Sequence, residues 1–383
     1  MKRFILILLC TLVTTGMICT LSYADYNAED LSWKEITGLS EEQMAELTLA
    51  EKIQKCSVSN ETLLNGPLEK LIDMALDYPL LCNLIFFDDI DAMISYFSRT
   101  SELLNYVMNQ RDFNDVLLSK FAELQVDWRH VEQVLATGGV SQDYYKVIFI
   151  ARLFSKNYIN LSEENRDELL NLLSVKRTNS TFEKELLDSW FLPSFSNTIN
   201  IENVILKRRL YSTGFSYLGT VVTRNDIQYQ LGIYSKYGVS ASCLKHYSGE
   251  LTSSEKNNYN NTIANYYPSW QRIGEPTVKY NCHSYTWIDE TTSNVYWLDS
   301  PSAYANSSSF YSVGDNCGAN YGDYIIIFDA EGNIQHSAIS KSTGSTGSGV
   351  VTTSKLGKAG VYRAPLADIV LLYGNEYTVY RKK

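Results

Sequence analysis

The chain has few histidines and no Cys-x-x-Cys pair, and both shortages limit the chemistry open to it. Only four histidines occur among 383 residues. Structural zinc sites are usually built from closely spaced pairs of cysteine and histidine. Cys243-x-x-His246 is the one pair with such a spacing, and no second pair accompanies it. We therefore predict that the protein holds no metal and no other cofactor.

Positive charge is also in short supply. Lysine and arginine number 33 against 43 aspartate and glutamate residues, which gives a formal net charge of −10 at pH 7. Nucleic acids and anionic lipid surfaces attract basic proteins rather than acidic ones. The composition thus argues against both as direct partners.

Long apolar runs are confined to the amino terminus. Lys2 and Arg3 precede an apolar stretch that begins at Phe4, and Ser22-Tyr23-Ala24 fits the small-x-small pattern of a cleavage site. These features predict a signal peptide over residues 1–24. No later stretch is long and apolar enough to span a bilayer. We expect an exported chain, secreted or held in the cell envelope, with no membrane association after cleavage.

The rest of the chain changes composition once. Glycine and proline are scarce up to about residue 195, and apolar residues there recur at helical spacing. Further along, β-branched and aromatic residues alternate with glycine, which predicts strands. We expect an α+β protein in which a helical domain over 25–195, with an unknown partner, precedes a sheet-containing domain over 196–383.

Local patterns place several elements. Capping boxes at Ser40 and Thr252 each predict a helix start, and we expect these helices to run to Lys52 and to about Tyr266. The serine- and asparagine-rich segment 298–322 is predicted to be a long loop. Five segments have the composition of strands: 324–328, 334–340, 350–354, 361–363 and 377–381.

Five cysteines remain after the predicted cleavage: Cys56, Cys82, Cys243, Cys282 and Cys317. The odd number leaves at least one thiol unpaired in an exported protein. The first two lie in helical patterns and are expected to be buried and inert. A disulfide between Cys243 and Cys317 is one pairing that the sequence leaves open.

Cys282 is the strongest candidate for a nucleophile. The turn-like Tyr280-Asn281 precedes it and helix-compatible residues follow, so the free N–H groups of a helix start would favour its thiolate. His336 follows on a predicted return strand after the turn at Gly332-Asn333. We predict that thiol and imidazole form a catalytic pair, with sulfur and ring nitrogen about 3–4 Å apart.

The other histidines are weaker candidates. His130 lies in a helical pattern, and His283 would point away from the adjacent Cys282 on a helix. Cys243 and His246 form a rival pair if they share one face of a helix or turn.

A third polar group usually orients the imidazole of such a pair. The predicted strand 350–354 would run beside His336 and offers Thr352, Thr353 and Ser354, and we choose Ser354 and Lys355 for this role. The oxyanion of the reaction would be held by a backbone N–H at the cysteine together with Tyr280 or Asn281.

Four strings carry a family resemblance: YNCHSYTW, NVYWLDSPSAY, GDYIIIFDAEGNIQHSAIS and VVTTSKLGKAGVYR. They resemble a family of exported Firmicutes proteins with a YNCHSYAW…GD…HSAI…SKWG signature, whose domain is similar to NlpC-type cell-wall endopeptidases and CHAP amidases. The resemblance covers about residues 200–383. Leu356 replaces the tryptophan of SKWG, and Gly314-Asp315 competes with Gly322-Asp323 for the Gly-Asp position.

The resemblance implies a permuted papain-like fold with an antiparallel sheet and a catalytic helix, in which Cys282 is the nucleophile and His336 the base. We expect an exported thiol hydrolase, an amidase or endopeptidase acting on cell-wall peptides or related amide bonds. The alternative is a non-enzymatic secreted surface protein that uses the same scaffold for binding. Iodoacetamide labelling of Cys282 with an apparent pKa well below about 8.5 would favour the enzyme.

Overall fold

The computed structural model describes residues 32–191, 214–224 and 227–383. The predicted signal peptide and the predicted domain junction at 195 lie outside these ranges. Within them the protein is mixed α and β, with a helical region followed by a region rich in antiparallel sheet. None of the helices described in these ranges is long and apolar enough to cross a membrane.

Residues 33–191 form helices joined by short connections, many of them capped by a serine, threonine or aspartate side chain. The α-helices are α1 (Trp33–Thr37), α2 (Glu41–Ala45), α3 (Leu49–Lys55), α4 (Asn60–Asn65), α5 (Leu68–Leu76), α6 (Ile90–Thr100), α7 (Glu102–Met108), α8 (Phe113–Glu123), α9 (Trp128–Ala136), α10 (Gln142–Asn157), α11 (Glu163–Lys176) and α12 (Thr181–Phe191). Short 3₁₀ helices span Leu81–Phe86 and Tyr158–Asn160.

The helix predicted to run from Ser40 to Lys52 is two helices. The capping box at Ser40 opens α2, which ends at Ala45. A second capping box, formed by Thr48 and Glu51, opens α3, and Thr48 itself is extended with ψ 159°. The single-helix prediction was wrong because it overlooked this second start signal.

Within 214–224 and 227–383 the structure has two antiparallel sheets, four more α-helices and a 3₁₀ helix at Gly347–Gly349. The strands are β1 (Gly214–Arg224), β2 (Ile227–Lys236), β3 (Val239–Ser248), β4 (Gln271–Gly274), β5 (Tyr296–Trp297), β6 (Phe310–Asp315), β7 (Tyr324–Phe328), β8 (Ile334–Ser340), β9 (Val351–Lys355), β10 (Val361–Pro365) and β11 (Glu376–Lys382). The helices are α13 (Ser253–Tyr266), α14 (Cys282–Trp287), α15 (Ser302–Ala305) and α16 (Leu366–Tyr373).

Strand order is β1-β2-β3-β5 in the smaller sheet and β4-β10-β9-β8-β7-β11-β6 in the larger one. The predicted strands β7 to β11 and the helix that starts after Thr252 are confirmed. The long loop predicted over 298–322 is wrong, because it contains α15 and β6. β6 pairs only with β11 at the sheet edge and is mostly exposed, so its sequence lacks a buried apolar run. Gly322-Asp323 is the pair that enters β7.

The larger sheet is covered on both faces. One face packs Ile325, Ile327 and Ala338 into the same hydrophobic cluster as most of the helical region. On the other face, Ile326 packs with Trp287 of α14 and with residues of the smaller sheet. The helical region and the sheet thus share buried apolar surface, worth about 25 cal/mol per Å² removed from water. The division at 195 into two domains stays a prediction.

Candidate active site

Cys282 is the first residue of α14, and Asn281 caps this helix. The Asn281 side-chain oxygen Oδ1 accepts hydrogen bonds from the backbone N–H of Ser284 at 3.0 Å and of Leu298 at 3.2 Å. Its Nδ2 donates to the Leu298 carbonyl at 2.7 Å. The cap therefore ties the start of α14 to the chain after β5, and it fixes where the cysteine side chain begins. The oxyanion role predicted for Asn281 stays a prediction.

The helix α14 is anchored on β8 through one hydroxyl group. Nδ1 of His283 lies 2.8 Å from Oγ of Ser337, and Nε1 of Trp287 donates to the same oxygen at 3.2 Å. Residues four apart share a helix face, so both side chains point at the sheet. His283 thus joins the helix to the sheet, in keeping with the structural role expected for it.

The helix that begins at Cys282 packs where β8 and β9 separate. Their backbone pairing ends at Ile339. The N–H of Ser340 bonds toward β7 and that of Lys341 toward β9. Because N–H directions alternate along a strand, the N–H of Ser337 points toward β9, beyond the last pair. The Ser337 N–H lowers the pKa of Cys282, and α14 contacts both β8 and β9.

His336 precedes Ser337 and therefore points to the face of the sheet opposite α14. No hydrogen bond joins its Nε2 to Cys282, and the predicted pairing of the two residues stays a prediction. The side chain of His336 is 1% exposed, and its ring stacks on Tyr373 of α16 with ring centroids 3.8 Å apart and planes 6° apart. Its Nε2 is buried and has no hydrogen-bond partner. An unpaired buried polar atom costs about 1–3 kcal/mol, so it calls for an explanation.

Ser354 lies on the same face of the sheet as His336. The register pairs Ser340 with Thr352, and alternate residues along each strand share a face. Oγ of Ser354 is buried and has no hydrogen-bond partner, so no hydrogen bond joins it to the imidazole in this structure. Ser354 stays a prediction as the third catalytic residue. The imidazole of His336 is instead contacted by the ring of Tyr373, a residue for which the sequence predicted no role.

Lys355 is fully buried on the face that α14 covers. Its Nζ donates to the Gly357 carbonyl and lies 5.5 Å from the ring centroid of Tyr280. Burial lowers the pKa of Lys355 to about 8, while the negative charges of Asp88 and of an ionised Cys282 raise it. The lysine is therefore a cation within electrostatic reach of the thiol. The oxyanion role predicted for Tyr280, itself buried, stays a prediction.

Burial controls the charge state of both candidate reacting groups. It raises the pKa of the Cys282 thiol to about 12, although the Ser337 N–H and the Lys355 ammonium lower it. It holds the pKa of His336 well below 6.5, and the Lys355 charge adds to this effect. Burial therefore favours the neutral form of both groups and opposes the effect of the N–H groups at the start of the six-residue helix. The thiolate expected at Cys282 stays a prediction.

The rival pair is separated by its strand geometry. Cys243 and His246 both lie on β3, and residues three apart on a strand point to opposite faces. Cys243 is buried beside Trp287, whereas Nε2 of His246 contacts the Gly249 carbonyl at an exposed position. The two therefore cannot act as a pair.

The five cysteines of the described chain are all unpaired, so the disulfide between Cys243 and Cys317 is not formed in this structure. Within the described ranges, no three or more histidine, cysteine, aspartate or glutamate side chains are grouped so as to hold a metal ion. Comparison of the chain with protein-family models, with curated proteins and with solved structures found no match.

Proposed function

We propose that the protein is an exported, cysteine-dependent amide hydrolase built on a papain-like scaffold, with Cys282 as nucleophile and His336 as base. One observation carries the proposal. Cys282 begins a helix that is hydrogen-bonded to Ser337 of β8, and the adjacent residue of β8, His336, holds a buried imidazole nitrogen without a partner. The proposed substrates are cell-wall peptides, as the family resemblance implies, and the proposed location is the cell envelope or the medium.

The reaction starts from the neutral pair. As the sulfur attacks the carbonyl carbon of the amide, the thiol proton passes to Nε2 of His336, which on this proposal approaches the sulfur from the other face of the sheet when substrate binds. The tetrahedral oxyanion is held by the backbone N–H of Cys282, with Tyr280 or Asn281 as the predicted second donor. The C–N bond then breaks, and the imidazolium gives its proton to the leaving amine. Water attacks the thioester with His336 again as base, which releases the acid and restores the thiol.

Two neighbours support the charges that form. The Tyr373 ring stacks on the imidazole and limits its rotation, and Lys355 provides a positive charge that favours the thiolate. The unpaired hydroxyl of Ser354, on the same face as the imidazole, is our candidate for the group that bonds the imidazolium.

Digestion of purified peptidoglycan tests this proposal. We expect wild type to release peptide fragments, identified by mass spectrometry, and Cys282→Ala to lose activity by about a thousandfold or more. Cys317→Ala is the matched control, since it removes another partly buried thiol of the same sheet-rich region. Full activity of Cys282→Ala would reject the proposal.

A second candidate is a non-enzymatic surface protein that binds its partner through the same scaffold. The raised pKa of Cys282 and the absence of a hydrogen bond at Nε2 of His336 favour it. On this account, wild type would release no fragments, and Cys282→Ala would bind peptidoglycan as well as wild type does.

A further inference from the structure

We propose that a pocket at the β4 edge of the larger sheet binds a carboxylate of the substrate peptide through Lys256, Lys279 and Arg272. This inference rests on the proposed hydrolase function, and it names a feature of the substrate: a free carboxylate close to the scissile amide. It also gives the segment between β4 and α14 a role in substrate binding.

The pocket lies on the face of the sheet that α14 covers. The strand register places Lys355, Val361 and Gly274 in one row across β9, β10 and β4, and residues opposite each other share a face. The Val361 side chain packs with Tyr280 and with Tyr285 of α14, which identifies this face. Neighbouring strands are about 4.8 Å apart, so Gly274, in the pocket lining, lies about 10 Å from Lys355. The pocket is therefore two strands from the buried lysine, on the side of the sheet where the candidate nucleophile begins its helix.

The walls of the pocket come from both sides of α14. Thr277 and Lys279 precede this helix and Thr292 follows it, while β4 supplies Ile273 and Gly274. A Cβ at position 274 would lie 2.6 Å from Cγ2 of Thr292, so glycine lets β4 and the chain after α14 approach each other here. The pocket volume is about 340 Å³, near the lower end for ligand pockets, which suits one residue of a peptide rather than a large ligand.

Three cationic side chains line this pocket without donating a hydrogen bond to any described part of the chain. The nearest carboxylate oxygen to Nζ of Lys256 and to Nζ of Lys279 belongs to Glu250, at 4.0 and 3.8 Å. Nη2 of Arg272 lies 3.6 Å from the carboxylate of Glu275. All three separations exceed the range of a hydrogen bond. The donors of the two lysines and the arginine are therefore free for a ligand.

The carboxylate of Glu250 is held by the main chain rather than by the lysines. Its Oε1 accepts hydrogen bonds from the N–H groups of Leu251 at 2.9 Å and Val278 at 3.2 Å, and its Oε2 accepts one from the Thr277 hydroxyl at 2.7 Å. Burial raises the pKa of Glu250, but these hydrogen bonds outweigh it, so that the pKa is lowered. The charged carboxylate thus attracts both lysines to the pocket and leaves their donors available.

The charge balance of the pocket favours an anionic ligand. Its two carboxylates are already held, Glu250 as described and Glu275 by Nδ2 of Asn260 at 2.8 Å, and three cations stand against them. A carboxylate is the anion that a peptide offers, at its C-terminus or on an acidic side chain, and its hydrogen bonds to lysine and arginine are strong because they are charge-assisted. Lys279 comes three residues before Cys282, so a peptide anchored here would extend toward the start of α14.

The test uses synthetic copies of peptides isolated from peptidoglycan, made with free carboxylates, with a C-terminal amide or with amidated side-chain carboxylates. Isothermal titration calorimetry with Cys282→Ala measures binding without turnover. We expect one amidated form to bind about tenfold more weakly than the free peptide, as the loss of one charge-assisted hydrogen bond at a partly exposed site allows. That form identifies which carboxylate the pocket holds. Adding Lys279→Gln and Arg272→Gln to Cys282→Ala should remove the difference.

Arg363→Gln is the matched control. Arg363 lies on β10 and donates to Oε1 of Gln271 at 3.2 Å, outside the pocket lining, so its loss removes a neighbouring positive charge and should keep the preference for the free carboxylate. A preference that Arg363→Gln reduces as much as Lys279→Gln does would reflect the overall charge of this surface and overturn the inference.

The outcomes separate this inference from the proposed function. If wild type cleaves no peptide, or Cys282→Ala cleaves as fast as wild type, the proposed function fails, whereas a carboxylate preference that depends on Lys279 and Arg272 still supports the pocket. If hydrolysis requires Cys282 but all three peptide forms bind equally, or none binds, the assignment of the pocket fails alone.

Discussion

The imidazole of His336 and the phenol ring of Tyr373 stack almost in parallel, with centroids 3.8 Å apart and planes 6° apart. The Tyr373 hydroxyl is in turn fixed to the Phe86 carbonyl of the helical region. One tyrosine therefore connects the candidate base to the helical region.

This contact predicts different effects for two substitutions at position 373. Tyr373→Phe keeps the ring and loses one hydrogen bond, so we expect about 1 kcal/mol less stability and little change in kcat. Tyr373→Leu also removes the stacked ring, so His336 gains freedom and kcat should fall about tenfold or more. Urea unfolding and kcat measured on the same preparations check both effects. Equal kcat values for the two variants would show that the stacking has no role in turnover.

Stability should fall on the acid side of neutrality because two buried histidines resist protonation. Burial lowers the pKa of His283 from 6.5 to about 4 and holds that of His336 well below 6.5. A lowered folded-state pKa gives stability that is present above the unfolded value and lost as pH falls through the folded value. For His283 the difference amounts to ~3 kcal/mol, most of it lost between pH 6.5 and 4.

Urea unfolding between pH 7.5 and 4.5 measures this loss. His283→Gln should show a shallower decline than wild type over the same range, whatever its stability at pH 7.5. Identical slopes would mean that His283 titrates normally and is not buried in solution.

The buried charge of Lys355 should lower the free energy of unfolding, and the same charge should favour the thiolate of Cys282. The pKa of Lys355 is lowered from 10.5 to about 8 by burial, so the folded state is penalised as pH falls through that range and the lysine becomes charged. Lys355→Met removes this penalty. We expect its melting temperature at pH 7 to equal or exceed that of wild type, with the advantage shrinking at pH 9.5. Iodoacetamide labelling of Cys282 should slow, because a charge that favours the thiolate is gone.

Two results would contradict this account of Lys355. A variant that melts several degrees below wild type at pH 7 would show that the Gly357 hydrogen bond and the Tyr280 contact outweigh the cost of burial. Unchanged labelling would place the ammonium too far from the sulfur to act on it. Lys358→Met is the matched control for loss of a lysine charge at a nearby position beyond β9.

Arg152 should be indispensable to the conformation of residues 84–88. Arg152→Met leaves the carbonyls of Leu84, Phe87 and Asp88 without this donor, and we expect a loss of about 3–5 kcal/mol in the free energy of unfolding. Arg99→Met is a suitable comparison, because Arg99 also donates to main-chain carbonyls but is less buried. If urea unfolding gives the two variants equal losses in the free energy of unfolding, the deeper burial of Arg152 adds nothing to its contribution to stability.

Short-range patterns predicted much of the fold and the identity of the candidate pair. The capping box at Thr252 and the turn at Gly332 are local signals, and the elements beside them begin where the sequence predicts. The capping box of Thr48 and Glu51 is an equally clear signal for a helix start, although the predicted helix ran through it. The edge strand β6 carries no such signal, because an exposed strand needs no apolar alternation.

The surroundings of the pair could not be predicted in this way. Tyr373 and Arg152 lie far along the chain from the residues they hold, and nothing in their own neighbourhoods indicates those contacts. The charge state of Cys282 depends on how deeply α14 is packed, which local sequence does not specify. A helix start favours a thiolate, whereas burial raises the thiol pKa and opposes it.

Rapid-quench mass spectrometry of the wild-type protein mixed with peptidoglycan peptides tests the central claim most directly. The account predicts a thioester adduct on Cys282 that appears before the product is released and is absent in Cys282→Ala. His336→Gln should form this adduct much more slowly, because no base takes up the thiol proton. Release of cleaved peptide by wild type and Cys282→Ala alike, with no adduct on Cys282, would contradict the account.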